Sequence, residues 1–126
     1  SKLVITKKEL VYLLKERENF VLVDARSQRR FKGLEPEPRL GIKKGNIHSS
    51  INIPFSEIYD ENGLLLKPKI LKKKLFFDGK LNNIKVVALC GSGITACNIL
   101  FALNSLSHSN NILYDGSWAE WGKKDW

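Results

Sequence analysis

The residues best suited to chemistry follow a short apolar run near the middle of the chain. Val86-Val87-Ala88-Leu89 leads directly into Cys90-Gly91-Ser92-Gly93, and an apolar stretch follows. This order predicts a buried strand, a cysteine at its carboxyl end and a glycine-containing loop that opens a helix. The backbone N–H groups of such a loop and the positive end of the helix both favour a thiolate. We therefore interpret Cys90 as a nucleophile.

A cysteine can also be a small buried hydrophobe with no chemical role. That alternative predicts a cysteine inside a helix or strand, and it does not predict Gly-Ser-Gly directly after it. Cys97 fits this alternative, because it falls one turn into the predicted helix. We expect Cys97 to lie in the core and assign it no catalytic role.

Short apolar strands alternate with helical patterns along the chain. The predicted strands are 20–23, 51–53, 85–89 and 111–114. Thr6 and Glu9 form a capping box that predicts the start of the first helix. The other predicted helical segments are a turn over 26–31, a lysine-rich helix from Pro68 to about Phe77, a helix over 94–106 and a last segment with Trp118 and Trp121. Residues 33–46 form a long excursion, and Ser56 is expected to cap the turn after the second strand.

This alternation predicts an α/β fold with a mostly parallel central sheet and helices on both faces. Ligands of such sheets bind outside the carboxyl ends of the strands. Asp24, Cys90 and Asp115 all stand at such ends. We expect Asp24 and Arg26 to form a buried structural ion pair there, and the two tryptophans to pack at the surface.

The composition describes one domain over residues 1–126 with a formal net charge of +8. Much of that charge is lysine around the helix that Pro68 opens, and without interleaved aromatic residues it predicts a solvated face and no nucleic-acid partner. Two cysteines are too few for a disulfide scaffold and indicate a reducing compartment. We find no signal peptide or membrane span, and expect a cytoplasmic or, alternatively, mitochondrial protein.

Several segments together resemble the rhodanese-like sulfurtransferases, and within them the 3-mercaptopyruvate sulfurtransferase branch. The Cys90–Thr95 loop has that branch's form, Cys-Gly-Ser-Gly-(Val/Ile)-Thr. The other matching segments are Val23-Asp24-Ala25-Arg26, the stretch 30–39, Asn52-Ile53-Pro54-Phe55 and the stretch 114–122. The resemblance spans most of the chain and implies a rhodanese-like domain, the C-terminal half of a two-domain enzyme.

The resemblance also implies a reaction and its residues. Cys90 attacks the sulfur of 3-mercaptopyruvate, pyruvate leaves, and a thiol acceptor such as thioredoxin, or cyanide, takes the sulfur from the Cys90 persulfide. Ser92 assists at the substrate carbonyl or with a proton, and Arg30 and Arg39 bind the substrate carboxylate. The remaining substrate-binding positions are Gly91, Gly93, Ile94 and Thr95. No metal or organic cofactor is implied, and an N-terminal rhodanese-like domain is an implied partner.

Two other functions remain open. Thiosulfate could be the donor, although that branch has basic side chains where this chain has Gly91 and Ser92. The domain could also be a catalytically weak module that binds a partner. Phosphatase and arsenate reductase activities are not expected, because their loop needs an arginine where this chain has Ala96.

The chain departs from the family pattern at Arg29, where glycine is common, and in one segment near the long excursion. The family usually has Gly-His-Ile-Pro-Gly-(Ser/Ala) where this chain has Gly45-Asn46-Ile47-His48-Ser49-Ser50. These differences concern local loop geometry. They leave the cysteine loop and both substrate arginines unchanged.

Overall fold

A five-stranded parallel sheet forms the centre of the computed structural model, which describes residues 3–16, 19–76, 84–92 and 94–124. The strands are β1 (Val4–Ile5), β2 (Phe20–Asp24), β3 (Ile51–Asn52), β4 (Lys85–Leu89) and β5 (Asn111–Tyr114). They lie in the order β1-β5-β4-β2-β3, and every neighbouring pair is parallel. The predicted α/β fold is confirmed.

Helices connect the strands. They are α1 (Lys7–Lys15), α2 (Gln28–Phe31), α3 (Pro68–Phe76), α4 (Ala96–Ser105), α5 (Ser117–Trp121) and a 3-10 helix over Phe55–Ile58. The predicted capping box is present at α1, where the Thr6 hydroxyl accepts from the Glu9 N–H and the Glu9 carboxylate accepts from the Thr6 N–H. No helix in the described part of the chain is both long and apolar enough to cross a membrane.

The two faces of the sheet bury two separate hydrophobic cores. One core contains Leu75 from α3 and Ile99 from α4, and the other contains Leu10 from α1 and Trp118 from α5. Strand β4 contributes side chains to both cores, because alternate side chains of a strand point to opposite faces of the sheet. Val86, Ala88 and Cys90 belong to the first core, and Val87 and Leu89 belong to the second. Their complete burial explains why β4 is a continuous apolar run.

Most predicted elements are present with small changes at their ends. The second helical turn begins at Gln28 and not at residue 26, because Ser27 occupies the N-cap position and accepts from the Arg30 N–H. Helix α4 covers fewer residues than the predicted 94–106. Residues 33–46 form the expected excursion, fixed by a short bridge between Ile42 and Lys123. Phe77, the predicted end of α3, lies outside the described residues.

Three predictions about individual side chains are wrong. Cys97 is exposed, because Ala96, Ile99 and Leu103 form the face of α4 that packs on the core, and Cys97 lies off that face. Ser56 caps nothing, since it lies inside the 3-10 helix, which follows Pro54 without a side-chain cap. Trp118 is only 3% exposed and is a core residue.

Candidate active site

Cys90 lies directly after β4 and is only 1% exposed. The strand end beside it is β2, whose register pairs Asp24 with Leu89. The Ala25 N–H donates to the Leu89 carbonyl at 2.8 Å, which continues the pairing to the residue before the cysteine. The backbone at the start of the cysteine loop is therefore held by the sheet on the β2 side.

The first turn of α5 holds the other side of the cysteine loop. The Trp118 N–H donates to the Cys90 carbonyl at 2.9 Å, and the Ala119 N–H donates to the Gly91 carbonyl at 2.8 Å. In a trans peptide the N–H points opposite to the C=O, so the N–H groups of Gly91 and Ser92 point away from these donors. Neither N–H forms a hydrogen bond with another described residue, so both can bind an anion.

A chain of alternating charges leads from the end of β2 toward the cysteine loop. Arg26 and Asp24 form a fully buried ion pair, with Nη2 2.7 Å from Oδ2, which confirms the predicted structural pair. Arg26 also reaches Glu37 of the long excursion, with Nη1 3.1 Å from Oε2. Glu37 in turn holds Arg30, whose Nη2 is 2.6 Å from Oε1.

Arg30 lies against the cysteine loop at Gly91. A Cβ atom added at Gly91 would be 2.7 Å from Nη2 of Arg30, so the guanidinium occupies the space that a side chain would need. The hydrogen bond to Glu37 raises the pKa of Arg30 most. Desolvation by burial lowers this pKa, and the Coulombic interactions of Arg30 with Glu37, Asp24 and Cys90 raise it. Arg30 is thus a permanent cation next to Cys90.

One cavity of about 240 Å³ brings most of the predicted site residues together. It is lined by Arg30, Glu37, Pro38, Arg39, Ile42, Gly91, Ser92, Thr95 and Ala119. Ile94 is 76% exposed and does not line it, and Gly93 lies outside the described residues. Cys90 itself is not a lining residue: it is 1% exposed, belongs to the first core and directly precedes Gly91.

The two arginines of the cavity differ in their partners. Arg30 directs both Nε and Nη2 at Glu37, at 3.3 and 2.6 Å, so this edge of its guanidinium is already occupied. Arg39 is exposed and has no ion pair or hydrogen bond within the described part of the chain. Its planar fork is open to a carboxylate.

This arrangement is a buried cysteine adjacent in sequence to an electropositive cavity, at the carboxyl edge of a parallel sheet, with two loop amides free to bind an anion. A family model described as the rhodanese-like domain matches residues 6–124. The chain belongs to the rhodanese-like domain family. As a rhodanese-like domain, it carries its cysteine in the loop after the central strand β4.

The relatives of this rhodanese-like domain include sulfurtransferases with two different donors in their names. It is 46% identical to the 3-mercaptopyruvate sulfurtransferase of Mus musculus over 103 residues, which cover 81% of this chain and 34% of the relative. It is 37% identical to the thiosulfate sulfurtransferase of Rattus norvegicus over 109 residues, 85% of this chain and 36% of that protein. The chain thus spans about a third of the length of these relatives.

A solved structure agrees with this comparison. The crystal structure of SseA from Escherichia coli, a 3-mercaptopyruvate sulfotransferase, matches with a TM-score of 0.74 and 31% identity. The match covers 92% of this chain and 42% of that one. The sequence similarity and the backbone similarity each cover more than four fifths of this chain.

Sequence reasoning did not identify two residues that organise the site. In the sequence Glu37 is only one position of the stretch 30–39, yet its carboxylate joins Arg26 to Arg30 and is 4% exposed. Ser117 is fully buried, and its hydroxyl accepts a hydrogen bond from the Cys90 N–H at 3.1 Å. The spacing of Glu37 from the arginines carries no periodic signal. For Ser117, its position after Asp115-Gly116 at the end of β5 was the available signal.

Proposed function

We propose that this domain is a sulfurtransferase that carries sulfur on Cys90 as a persulfide. The observation that carries the proposal is the electropositive cavity at Gly91 and Ser92, directly after a cysteine at the end of β4. The sulfurtransferase names of the relatives support the same chemistry. An anionic sulfur held there is stabilised by Arg30 and by the N–H groups of Gly91 and Ser92.

We propose 3-mercaptopyruvate as the donor. The Cys90 thiolate attacks the donor sulfur, the carbon–sulfur bond breaks, and the electron pair leaves with pyruvate as its enolate, which then takes up a proton. A thiolate acceptor next attacks the outer sulfur of the persulfide and releases the Cys90 thiolate. A thiol protein such as thioredoxin is the acceptor we propose.

The cavity offers a separate place for each part of this donor. The open fork of Arg39 suits a carboxylate, and Ser92 suits the carbonyl oxygen or the proton that the enolate needs. Gly91 and Ser92 add no cation next to the sulfur, so the charge for the donor carboxylate comes from the long excursion. In this scheme only Arg39 binds the carboxylate, and Arg30, which the resemblance also assigned to the carboxylate, acts on the sulfur because Glu37 occupies its fork.

Thiosulfate is the second candidate donor, because a thiosulfate sulfurtransferase is also among the relatives. Thiosulfate carries two negative charges and gains from cations close to the sulfur. Replacing Gly91 by arginine and Ser92 by lysine would place such cations there. The replacement would also push Arg30 aside, since any Cβ at Gly91 meets its Nη2.

The test is a mass measurement on this chain after incubation with each donor. One added sulfur atom is expected with 3-mercaptopyruvate, and none in Cys90→Ser. Cys97→Ser is the matched control, because Cys97 is the exposed thiol and can pick up sulfur nonspecifically. Sulfur on Cys97 alone, or a wild-type preference for thiosulfate, contradicts the proposal. The same assay with an N-terminal rhodanese-like domain present tests whether that domain is needed for full turnover.

A further inference from the structure

We propose that Ser117 is a positioning residue that, together with the first turn of α5, sets the direction of the amides in the cysteine loop. The inference rests on the proposed sulfur transfer for its kinetic consequence. The geometry itself does not depend on which donor is used. It concerns the segment 116–119, which follows β5 and forms hydrogen bonds with the cysteine loop.

The backbone at Ser117 is held in a conformation that serine disfavours. Its φ is +55°, in the left-handed region, and the residue is fully buried. Glycine adopts that region without steric cost, whereas in other residues the Cβ atom clashes with the backbone. A serine at such a position suggests that its hydroxyl does something glycine cannot do.

The Ser117 hydroxyl forms two hydrogen bonds that link β5 to the cysteine. It donates to the Tyr114 carbonyl at 2.9 Å and accepts from the Cys90 N–H at 3.1 Å. The Cys90 N–H is therefore turned toward α5 and away from any anion in the cavity. Because donation to Tyr114 fixes the hydroxyl hydrogen, the lone pair that faces Cys90 is fixed as well.

The segment 116–119 also binds the first two carbonyls of the cysteine loop. The N–H groups of Trp118 and Ala119 bind the carbonyls of Cys90 and Gly91. Three backbone groups of the loop, the N–H and carbonyl of Cys90 and the carbonyl of Gly91, are thus bound by three consecutive residues of α5. What remains for the reacting sulfur are the N–H groups of Gly91 and Ser92, both on the opposite side.

A purely structural role can be separated from positioning by two substitutions. Ser117→Gly removes the hydroxyl but relieves the backbone strain, and Ser117→Ala removes the hydroxyl and keeps the strain. A stability role predicts that the loss of activity in each variant follows its loss in free energy of unfolding, which the relieved strain makes smaller in the glycine variant. A positioning role predicts that both variants are impaired in the same way. Ser105→Ala is the control, because Ser105 also donates its hydroxyl to a backbone carbonyl, at the far end of α4.

The first readout is hydrogen exchange of the Cys90 amide, which needs no sulfur chemistry. We expect at least about tenfold faster exchange at Cys90 in both Ser117 variants, with the exchange of Val87 in β4 unchanged in the glycine variant. Unchanged exchange at Cys90 in Ser117→Gly would overturn the proposal.

The second readout is the steady-state kinetics of sulfur transfer. Both Ser117 variants should lose about tenfold or more in kcat with little change in KM, because the loop amides act on charge that develops during the reaction. A Ser117→Gly variant with wild-type kcat contradicts the positioning role. If the wild-type chain transfers no sulfur, the proposed function fails, while the exchange measurement still decides whether Ser117 holds the loop.

Discussion

Among single residues, Glu37 has the most consequences for the site. Its nearly buried carboxylate binds both Arg26 and Arg30, so its removal leaves two guanidinium groups without their shared counter-charge. Breaking a buried pair costs far more than breaking an exposed one, because the remaining charge stays desolvated. Arg30 would also lose the contact that holds it over Gly91.

We predict that Glu37→Gln lowers the free energy of unfolding by about 3 kcal/mol. The matched control is Glu35→Gln, two residues earlier, because Glu35 pairs with Arg29 at 2.8 Å on the surface, where both side chains are about half exposed or more. An exposed pair contributes about 0–1 kcal/mol. Urea denaturation of the two variants measures the difference. Equal losses would mean that Glu37 is not an effectively buried partner.

Arg39 is the residue we expect to decide donor binding. Arg39→Ala should lower kcat/KM for 3-mercaptopyruvate at least about tenfold, mainly through KM, since a charge-assisted hydrogen bond contributes about 1.5–3 kcal/mol. Arg29→Ala is the control, because it removes an exposed arginine that does not line the cavity. Initial rates of pyruvate release check this. Unchanged kinetics in Arg39→Ala would show that Arg39 does not bind the donor carboxylate.

At the level of elements, the sequence predicts what repeats locally and fails where distant segments meet. Strands β4 and β5 have the predicted ends, because an apolar run between turn residues is a local signal. The burial of Trp118 depends on a hydrogen bond from its indole N–H to the Lys43 carbonyl at 2.7 Å, and on Arg26 stacked 4.6 Å from its ring centre. Neither partner is near Trp118 in sequence, so no local pattern indicated it.

The same contrast applies to the candidate site. The loop pattern and the family resemblance predicted five site residues that all line one cavity in the structure. They are Arg30, Arg39, Gly91, Ser92 and Thr95. The resemblance could not indicate that Arg30 is already paired, because the pairing depends on the path of the long excursion. Cys97 is exposed because it lies about 100° around α4 from Ala96, and the buried face of the helix is formed by Ala96, Ile99, Ala102 and Leu103.

The turn before β3 contains a testable local conflict between residue type and backbone. Ser49 has φ of +74°, and the family pattern usually has glycine at this position. We predict that Ser49→Gly raises the free energy of unfolding by about 1 kcal/mol, because glycine adopts this conformation without steric cost. Ser56→Gly is the control inside the 3-10 helix and should lower stability by about 0.5–1 kcal/mol. Thermal unfolding of both variants checks the opposite signs.

For the whole molecule, the carboxyl edge of the sheet is where the chain's distant parts combine. The ends of β2, β4 and β5 contribute Asp24, Cys90 and Asp115, as parallel topology requires. The final described segment then closes the site from the β5 side, through α5. The stability of the packing of α5 against the sheet is therefore coupled to the conformation of the cysteine loop.

Tyr114 offers a measure of that closure as a function of pH. It is fully buried at the end of β5, and its hydroxyl donates to the Glu120 Oε1 of α5 at 2.6 Å. Burial raises the pKa of Tyr114 most, and the hydrogen bond and charge of Glu120 raise it further. In the unfolded chain a tyrosine loses its proton near pH 10. Above that pH the unfolded state binds fewer protons than the folded state, so stability falls as pH rises.

We predict that the wild-type chain loses stability steeply above about pH 10 and that Tyr114→Phe loses less, because phenylalanine has no proton to release. At neutral pH the variant should be about 1 kcal/mol less stable, since it lacks the hydrogen bond to Glu120. The difference between the two chains should therefore shrink as pH rises. Tyr12→Phe is the control, because Tyr12 is 59% exposed on α1. Urea denaturation at pH 7 to 11 measures all three chains. Parallel curves for wild type and Tyr114→Phe would show that Tyr114 gives up its proton as readily in the folded chain as in the unfolded one.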